Sequence, residues 1–126
     1  MKPYVHSKIS ARKYGGIPED YLPIHDMMDI SKMCYAHVRH RAIFHNALGP
    51  FIMEKIFGTN ITNSDNKLVS VRDIAEDHII EDCGRIPTVE DWLKDIPFKP
   101  WMAGGVKIHM HENTTINENK TENKID

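Results

Sequence analysis

The chain has 126 residues, 40% of them hydrophobic, enough for one domain with a modest core. Its 16 basic and 18 acidic side chains leave a net charge of -2, which gives no global electrostatic footprint for nucleic acid. No apolar run is long enough to span a membrane, and Cys34 and Cys83 are too few for a disulfide scaffold, so the reading is a reduced, cytoplasmic protein.

Residues 1–16 carry Lys2, Lys8, Arg12 and Lys13 but no acid, and end in the turn signal Gly15-Gly16. They read as a basic N-terminal arm, either solvated or closing over an anion. They lack the apolar centre of a signal peptide. A single helical domain is expected over residues 17–105. Pro18-Glu19-Asp20 suits the first turn of a short helix, and Pro23 can start the next.

From Ile24 to Phe57 apolar residues recur on most sides of a helical axis, as in a buried central helix. The stretch is too long for one typical globular helix, so two antiparallel helices are expected. The candidate breaks are near Ala36-His37 and at Gly49-Pro50, where proline removes an amide donor. The methionines here read as core filler, and the two cysteines as small core residues.

Gly58 ends the helical stretch. Asn60-Ile61-Thr62 and Lys67-Leu68-Val69-Ser70-Val71 flank turn-forming residues and read as a small β-hairpin, which needs the helices to stabilise it. Ser70 caps a helix from Val71 to about Asp82, with Asp73 at its third position and Gly84 as its stop. Thr88-Val89-Glu90-Asp91 repeats the cap before a short helix with Trp92 and Leu93. Residues 106–126 are expected to be a flexible tail, with a polar, charged composition from about Asn113. The fold class is therefore mostly α, with one hairpin.

The densest chemistry is His37-Val38-Arg39-His40-Arg41-Ala42-Ile43-Phe44-His45-Asn46, in a chain with eight histidines. Histidine is the commonest metal ligand and the usual acid–base group near neutral pH. On a regular helix His40 and His45 point roughly 140° apart, at about 100° per residue. His25 and His40 would lie roughly 22 Å apart on one helix, at about 1.5 Å per residue, and could not share an ion.

A break near His37 folds the two arms together and brings Asp29 level with His45, while His78 arrives on a third helix with Glu81 and Asp82 on its face. A site from His25, His40, His45 and His78 with Asp29 is then geometrically open. Nitrogen and oxygen ligands of this kind suit one divalent transition metal: Zn, Fe, Mn or Ni. The plainer reading has these histidines buried and tied to carboxylates. His25-Asp26 resembles the doublet of metal phosphohydrolases of the HD type, a match short enough for chance to supply. Arg39 and Arg41 either pair with the acidic helix or join Lys13 in binding an anion.

A longer resemblance runs through Ser10-Ala11-Arg12-Lys13-Tyr14-Gly15-Gly16, Tyr21-Leu22-Pro23-Ile24-His25, Arg39-His40-Arg41-Ala42 with His45, Ile61-Thr62-Asn63-Ser64-Asp65, and Arg85-Ile86-Pro87-Thr88 with Asp91-Trp92-Leu93. Over roughly residues 6–101 the chain resembles a family of small bacterial and phage proteins known only as a domain of unknown function. The resemblance implies no reaction, but draws attention to His25, His40, His45 and His78. Asn66 stands where the family turn has glycine, which Asn replaces because it also visits positive φ. Pro50 stands where an apolar helix residue is expected.

Three functions fit the residues. The first is an accessory protein with a His-rich, metal-binding centre, its partner a host protein. The second is a metal-dependent hydrolase acting on a small phosphorylated ligand, with Lys13, Arg39 or Arg41 neutralising phosphate. The third is a metal-free module that binds an anion or a protein.

Overall fold

The stretch read as an arm folds into a helix with a buried face. The computed structural model describes residues 1–104. In it α1 (Pro3–Tyr14) starts with proline in its first turn and carries Arg12 and Lys13 in its last, where they offset the negative helix end. Its buried residues are His6, Ser7 and Ser10. That face is polar, so apolar periodicity could not reveal its burial.

Gly15 and Gly16 end α1 at φ 92° and 75°. A β-carbon on Gly16 would lie 2.3 Å from Asp20 Oδ2 and 3.1 Å from Asn63 Cβ. The glycine pair therefore forms a tight turn packed against the hairpin.

After a 3-10 turn at Pro18–Asp20 comes α2 (Leu22–Met28), with Pro23 in its first turn. The two long antiparallel helices expected between Ile24 and Phe57 do not form. The chain makes 3-10 turns at Ile30–Met33 and Val38–Ala42 before α3 (Gly49–Phe57).

Asn46 explains the last break. Its Nδ2 donates to the Ala42 and Ile43 carbonyls at 2.9 and 3.2 Å, and its Oδ1 accepts from the Leu48 and Gly49 amides at 2.9 and 3.0 Å. One side chain thus replaces several helical backbone bonds and turns the chain. Pro50 opens α3 rather than kinking it, because the first turn needs no donor there. Met33, read as core, is 80% exposed, and Cys34 is exposed too, because both lie where the helix has given way. Cys83 is half-buried, and both thiols are free.

The hairpin pairs β1 (Asn60–Thr62) with β2 (Leu68–Ser70), Ile61 opposite Val69. Asn66 takes φ 62° in its turn, the conformation for which Asn substitutes for glycine. β2 runs directly into α4 (Val71–Cys83). Ser70 accepts a bond from the Asp73 amide at 3.1 Å, and Gly84 closes the helix in the left-handed conformation. Thr88 and Asp91 cap α5 (Val89–Leu93) reciprocally.

The apolar core joins Tyr21, Ile24 and Met28 with Met53, Ile74 and Ile79, from α2, α3, α4 and the residue preceding α2. Each fully buried side chain of this size contributes roughly 1.5–3 kcal/mol. These elements lie within the compact unit Met1–Lys94. A second unit begins at Asp95, and its described part holds a 3-10 turn at Pro100–Ala103. The tail expected over 106–126 lies outside the described residues. Among the described residues no helix is long and apolar enough to cross a membrane.

Candidate metal centre

Beside the apolar core, four elements bury imidazoles against two carboxylates. α1 supplies His6. α2 supplies His25, and Asp29 follows one turn later, just past the helix end. The turn after Val38–Ala42 supplies His45, whose carbonyl accepts a bond from Trp92 Nε1 at 2.9 Å. α4 supplies His78 and Asp82, four residues apart on one face. His6, His25, His45 and His78 are all 0% exposed, and the Asp82 side chain is 1% exposed.

Three Nε2 atoms converge on the two carboxylates. His45 Nε2 lies 2.9 Å from Asp82 Oδ2 and 3.5 Å from Asp29 Oδ1. His78 Nε2 lies 3.2 Å from Asp29 Oδ1 and 3.4 Å from Asp82 Oδ2. His6 Nε2 lies 3.1 Å from Asp82 Oδ1, yet makes no hydrogen bond, so the contact has the distance but not the direction of one. His6 Nδ1 is fixed on the opposite side by Glu81 Oε1 at 2.6 Å.

One ligand atom from each of His6, Asp29, His78 and Asp82 falls within 4.8 Å of every other. Ligands on a tetrahedral zinc ion stand about 3.4 Å apart, given metal–ligand bonds near 2.0–2.1 Å, so a small contraction would bring these donors onto an ion. This cluster could hold a metal ion.

His25 plays a different part. Its Nδ1 meets His78 Nδ1 at 2.8 Å, and its Nε2 meets the Ser10 hydroxyl at 2.8 Å. His25 also falls in a second metal-ligand grouping, with His6 and His78. That grouping has no carboxylate to balance an ion, and would require His25 to give up a present partner.

The electrostatics follow the geometry. Burial alone would raise Asp82, but the imidazoles of His45, His6 and His78, all within 3.4 Å of its oxygens, hold its carboxyl far below the usual carboxylate range. Asp29 is likewise lowered, its burial outweighed by His78 and His45. Burial and then the neighbouring His78 and His6 push His25 down to about 3. Burial also lowers His45 and His40. His78 moves up, because its bonds to Asp29 and Asp82 outweigh its desolvation.

Of the histidines singled out from sequence, His45 and His78 aim at the shared centre, and His25 stands directly behind His78. His40 is 4% exposed, but its Nδ1 is held by Ser31 Oγ at 2.9 Å, and its ring meets His45 edge-on with centroids 6.0 Å apart. It supports His45 without joining the convergence. The three cations are not gathered. Lys13 Nζ pairs with Asp77 at 3.1 Å, and Arg39 donates to Tyr35 Oη at 2.9 Å. Arg41 alone reaches toward the centre, with Nη2 3.8 Å from Asp82 Oδ1.

Sequence reasoning passed over His6 altogether and treated Asp82 only as a neighbour of His78. A signal for Asp82 was there: His25/Asp29 and His78/Asp82 share the His-x-x-x-Asp spacing that puts both groups on one helix face. Asp26, partner in the HD-like doublet, is exposed, and Asp29 faces the centre instead.

The fold and this centre define a small, mostly helical domain built around a buried histidine–carboxylate cluster. The family model described as a domain of unknown function (DUF6915) matches residues 1–102, and the chain belongs to that family. No curated protein and no solved structure matches it.

Proposed function

We propose that this domain is a metal-binding protein in which His6, His45, His78, Asp29 and Asp82 hold one divalent transition metal ion. The observation that carries the reading is His6 Nε2. It is buried, has no hydrogen-bond partner, and lies beside the carboxylate that His45 and His78 also approach. A buried unsatisfied nitrogen costs about 1–3 kcal/mol, and an ion on that nitrogen removes the cost. Two carboxylates balance a dication, which makes burial of the charge tolerable. Three nitrogen and two oxygen donors without thiolate favour Zn, Fe, Mn or Ni over Cu(I) or a cysteine-rich zinc site.

The buried chain Ser10–His25–His78–Asp29 fits the same purpose. With a proton on His78 Nε2, that nitrogen donates to Asp29, His78 Nδ1 accepts from His25, and His25 Nε2 accepts from the Ser10 hydroxyl. With an ion on Nε2 the neutral ring carries its proton on Nδ1 and donates to His25, and His25 Nε2–H then donates to Ser10. His25 is thus a positioning residue that fixes the ring and tautomer of His78.

The test is elemental analysis of protein made without a histidine tag and grown with Zn, Fe, Mn and Ni supplied. The expected result is about one equivalent of one metal per chain, removed by chelator with a loss of thermal stability. Folded protein carrying only traces of every metal after supply would overturn the reading.

A further inference from the structure

Asp29, on one side of the same centre, borders a cleft of about 220 Å³. Its other polar side chains are Lys32, His37, His40 and Arg41, and Met1, whose ammonium lies 3.5 Å from Asp82 Oδ1, also lines it. Lys32 makes no ion pair among the described residues, and the only ion pair of Arg41 there is the long contact to Asp82. His37 Nδ1 accepts from the Arg39 amide at 3.0 Å and faces Arg39 Nε at 3.4 Å, so the ring proton sits on Nε2. Apart from Met1, whose ammonium is drawn to Asp82, and His40, whose Nδ1 is tied to Ser31, the wall therefore offers two cationic side chains and one N–H donor against one carboxylate, which already accepts from His78.

We propose that this cleft is a seat for a phosphate-type oxyanion, gripped by Lys32, His37 and Arg41 beside the proposed metal ion. The inference rests on the metal-binding reading for its neighbour, not for its own donors. Charge selects an anion: once Asp29 is engaged by an ion, the free groups facing the cleft are donors. Geometry favours a tetrahedral oxyanion, because Arg41 can present paired N–H groups while Lys32 and His37 each add a further contact. Size sets the rest. The cleft is smaller than the roughly 300–1,000 Å³ of pockets that enclose drug-sized ligands, so it takes a phosphate group and leaves any attached alcohol moiety in solvent. Of the three cations singled out from sequence alone, Arg41 lines it and Lys13 and Arg39 do not. Lys32 and His37 also line it.

The experiment titrates full-length, metal-loaded protein with inorganic phosphate and with methyl phosphate, by calorimetry and phosphorus NMR, with metal content measured on each sample. Saturable one-to-one binding is expected for at least one of the two. Lys32→Ala and His37→Ala, both at exposed positions, should each weaken it about tenfold, the loss of one charge-assisted hydrogen bond, while Lys8→Ala leaves it unchanged. Tighter binding of methyl phosphate identifies an ester as the ligand, and tighter binding of inorganic phosphate identifies the free ion. Full metal occupancy without saturable binding overturns the cleft alone, as does binding that both alanine variants leave intact. Phosphate binding that Lys32→Ala abolishes in a protein that takes up no metal overturns the centre and leaves the cleft standing.

Discussion

The domain buries two polar knots, and they close differently. At the hairpin, Asn63 is 4% exposed and satisfied on every side. Its Nδ2 donates to the Tyr14 carbonyl at 3.2 Å and to Tyr21 Oη at 3.1 Å, and its Oδ1 accepts from the Asp65 and Lys67 amides at 2.9 and 3.0 Å. Tyr21 Oη passes its own proton to the Gly15 carbonyl at 2.7 Å. In the histidine centre, by contrast, His6 Nε2 and His45 Nδ1 have no partner although both rings are buried. A network that satisfies itself needs nothing more and reads as architecture. One that leaves His6 Nε2 open beside the Asp82 carboxylate could hold a metal ion.

The sharpest way to break this contrast is to disable each knot in turn. Asp82→Asn should lower metal affinity by more than about a hundredfold, measured by competition with a chromogenic chelator, because it removes a ligand and not an outer partner. The hairpin should keep its native circular dichroism. Asn63→Ala should do the reverse, costing about 3 kcal/mol in denaturant unfolding because it removes four hydrogen bonds, from the Asp65 and Lys67 amides and to the Tyr14 carbonyl and Tyr21 hydroxyl, with metal stoichiometry intact. If Asn63→Ala emptied the centre or Asp82→Asn left affinity unchanged, the division between the two knots would be wrong.

A smaller effect separates ligand from support. His25→Ala should weaken metal binding about 10–100-fold while leaving saturable, equimolar binding. Outright loss of the site would instead make His25 a ligand, as the sequence alone had placed it.

The smallest effect belongs to the hairpin. Asp20 accepts from the Ile17 and Ser64 amides at 2.9 and 2.8 Å and from the Ser64 hydroxyl at 2.7 Å. The two amide bonds lead in holding its carboxyl below the usual range. A folded pKa below the unfolded value stabilises the fold above the unfolded pKa of about 4, and that contribution is lost as pH falls through the folded value. Solvent screens this surface group, so Asp20→Asn should cost about 1 kcal/mol at neutral pH. Thermal melts of the two proteins should converge on acidification below pH 4, and a gap that widened there would refute the assignment.

How much was legible depended on whether a signal is local. Ser70, Gly84, Thr88 and Asp91 make their capping bonds within four residues, so caps, helix ends and the hairpin could be read directly. The break before α3 was expected near Gly49-Pro50, but its cause was not, because Asn46 replaces helical bonds through a side chain whose alternatives differ little in energy. α1 was missed because its buried face is His6, Ser7 and Ser10, residues that a hydrophobic pattern counts as exposed.

The candidate site shows the same boundary. Composition and spacing marked a histidine-rich protein with ligand types suited to a transition metal, and family membership agrees with the resemblance to a domain of unknown function. The sequence by itself determined the histidine and carboxylate side-chain types available, the caps and the apolar residues of α2, α3 and α4, since these depend on residue type and near neighbours. Only the tertiary structure decided that His6 enters from α1, that His25 stands behind His78, and that His40 faces Ser31. Those choices depend on the directions in which four separate elements present their rings, and ring direction is set by packing between segments as many as 72 residues apart along the chain, from His6 to His78.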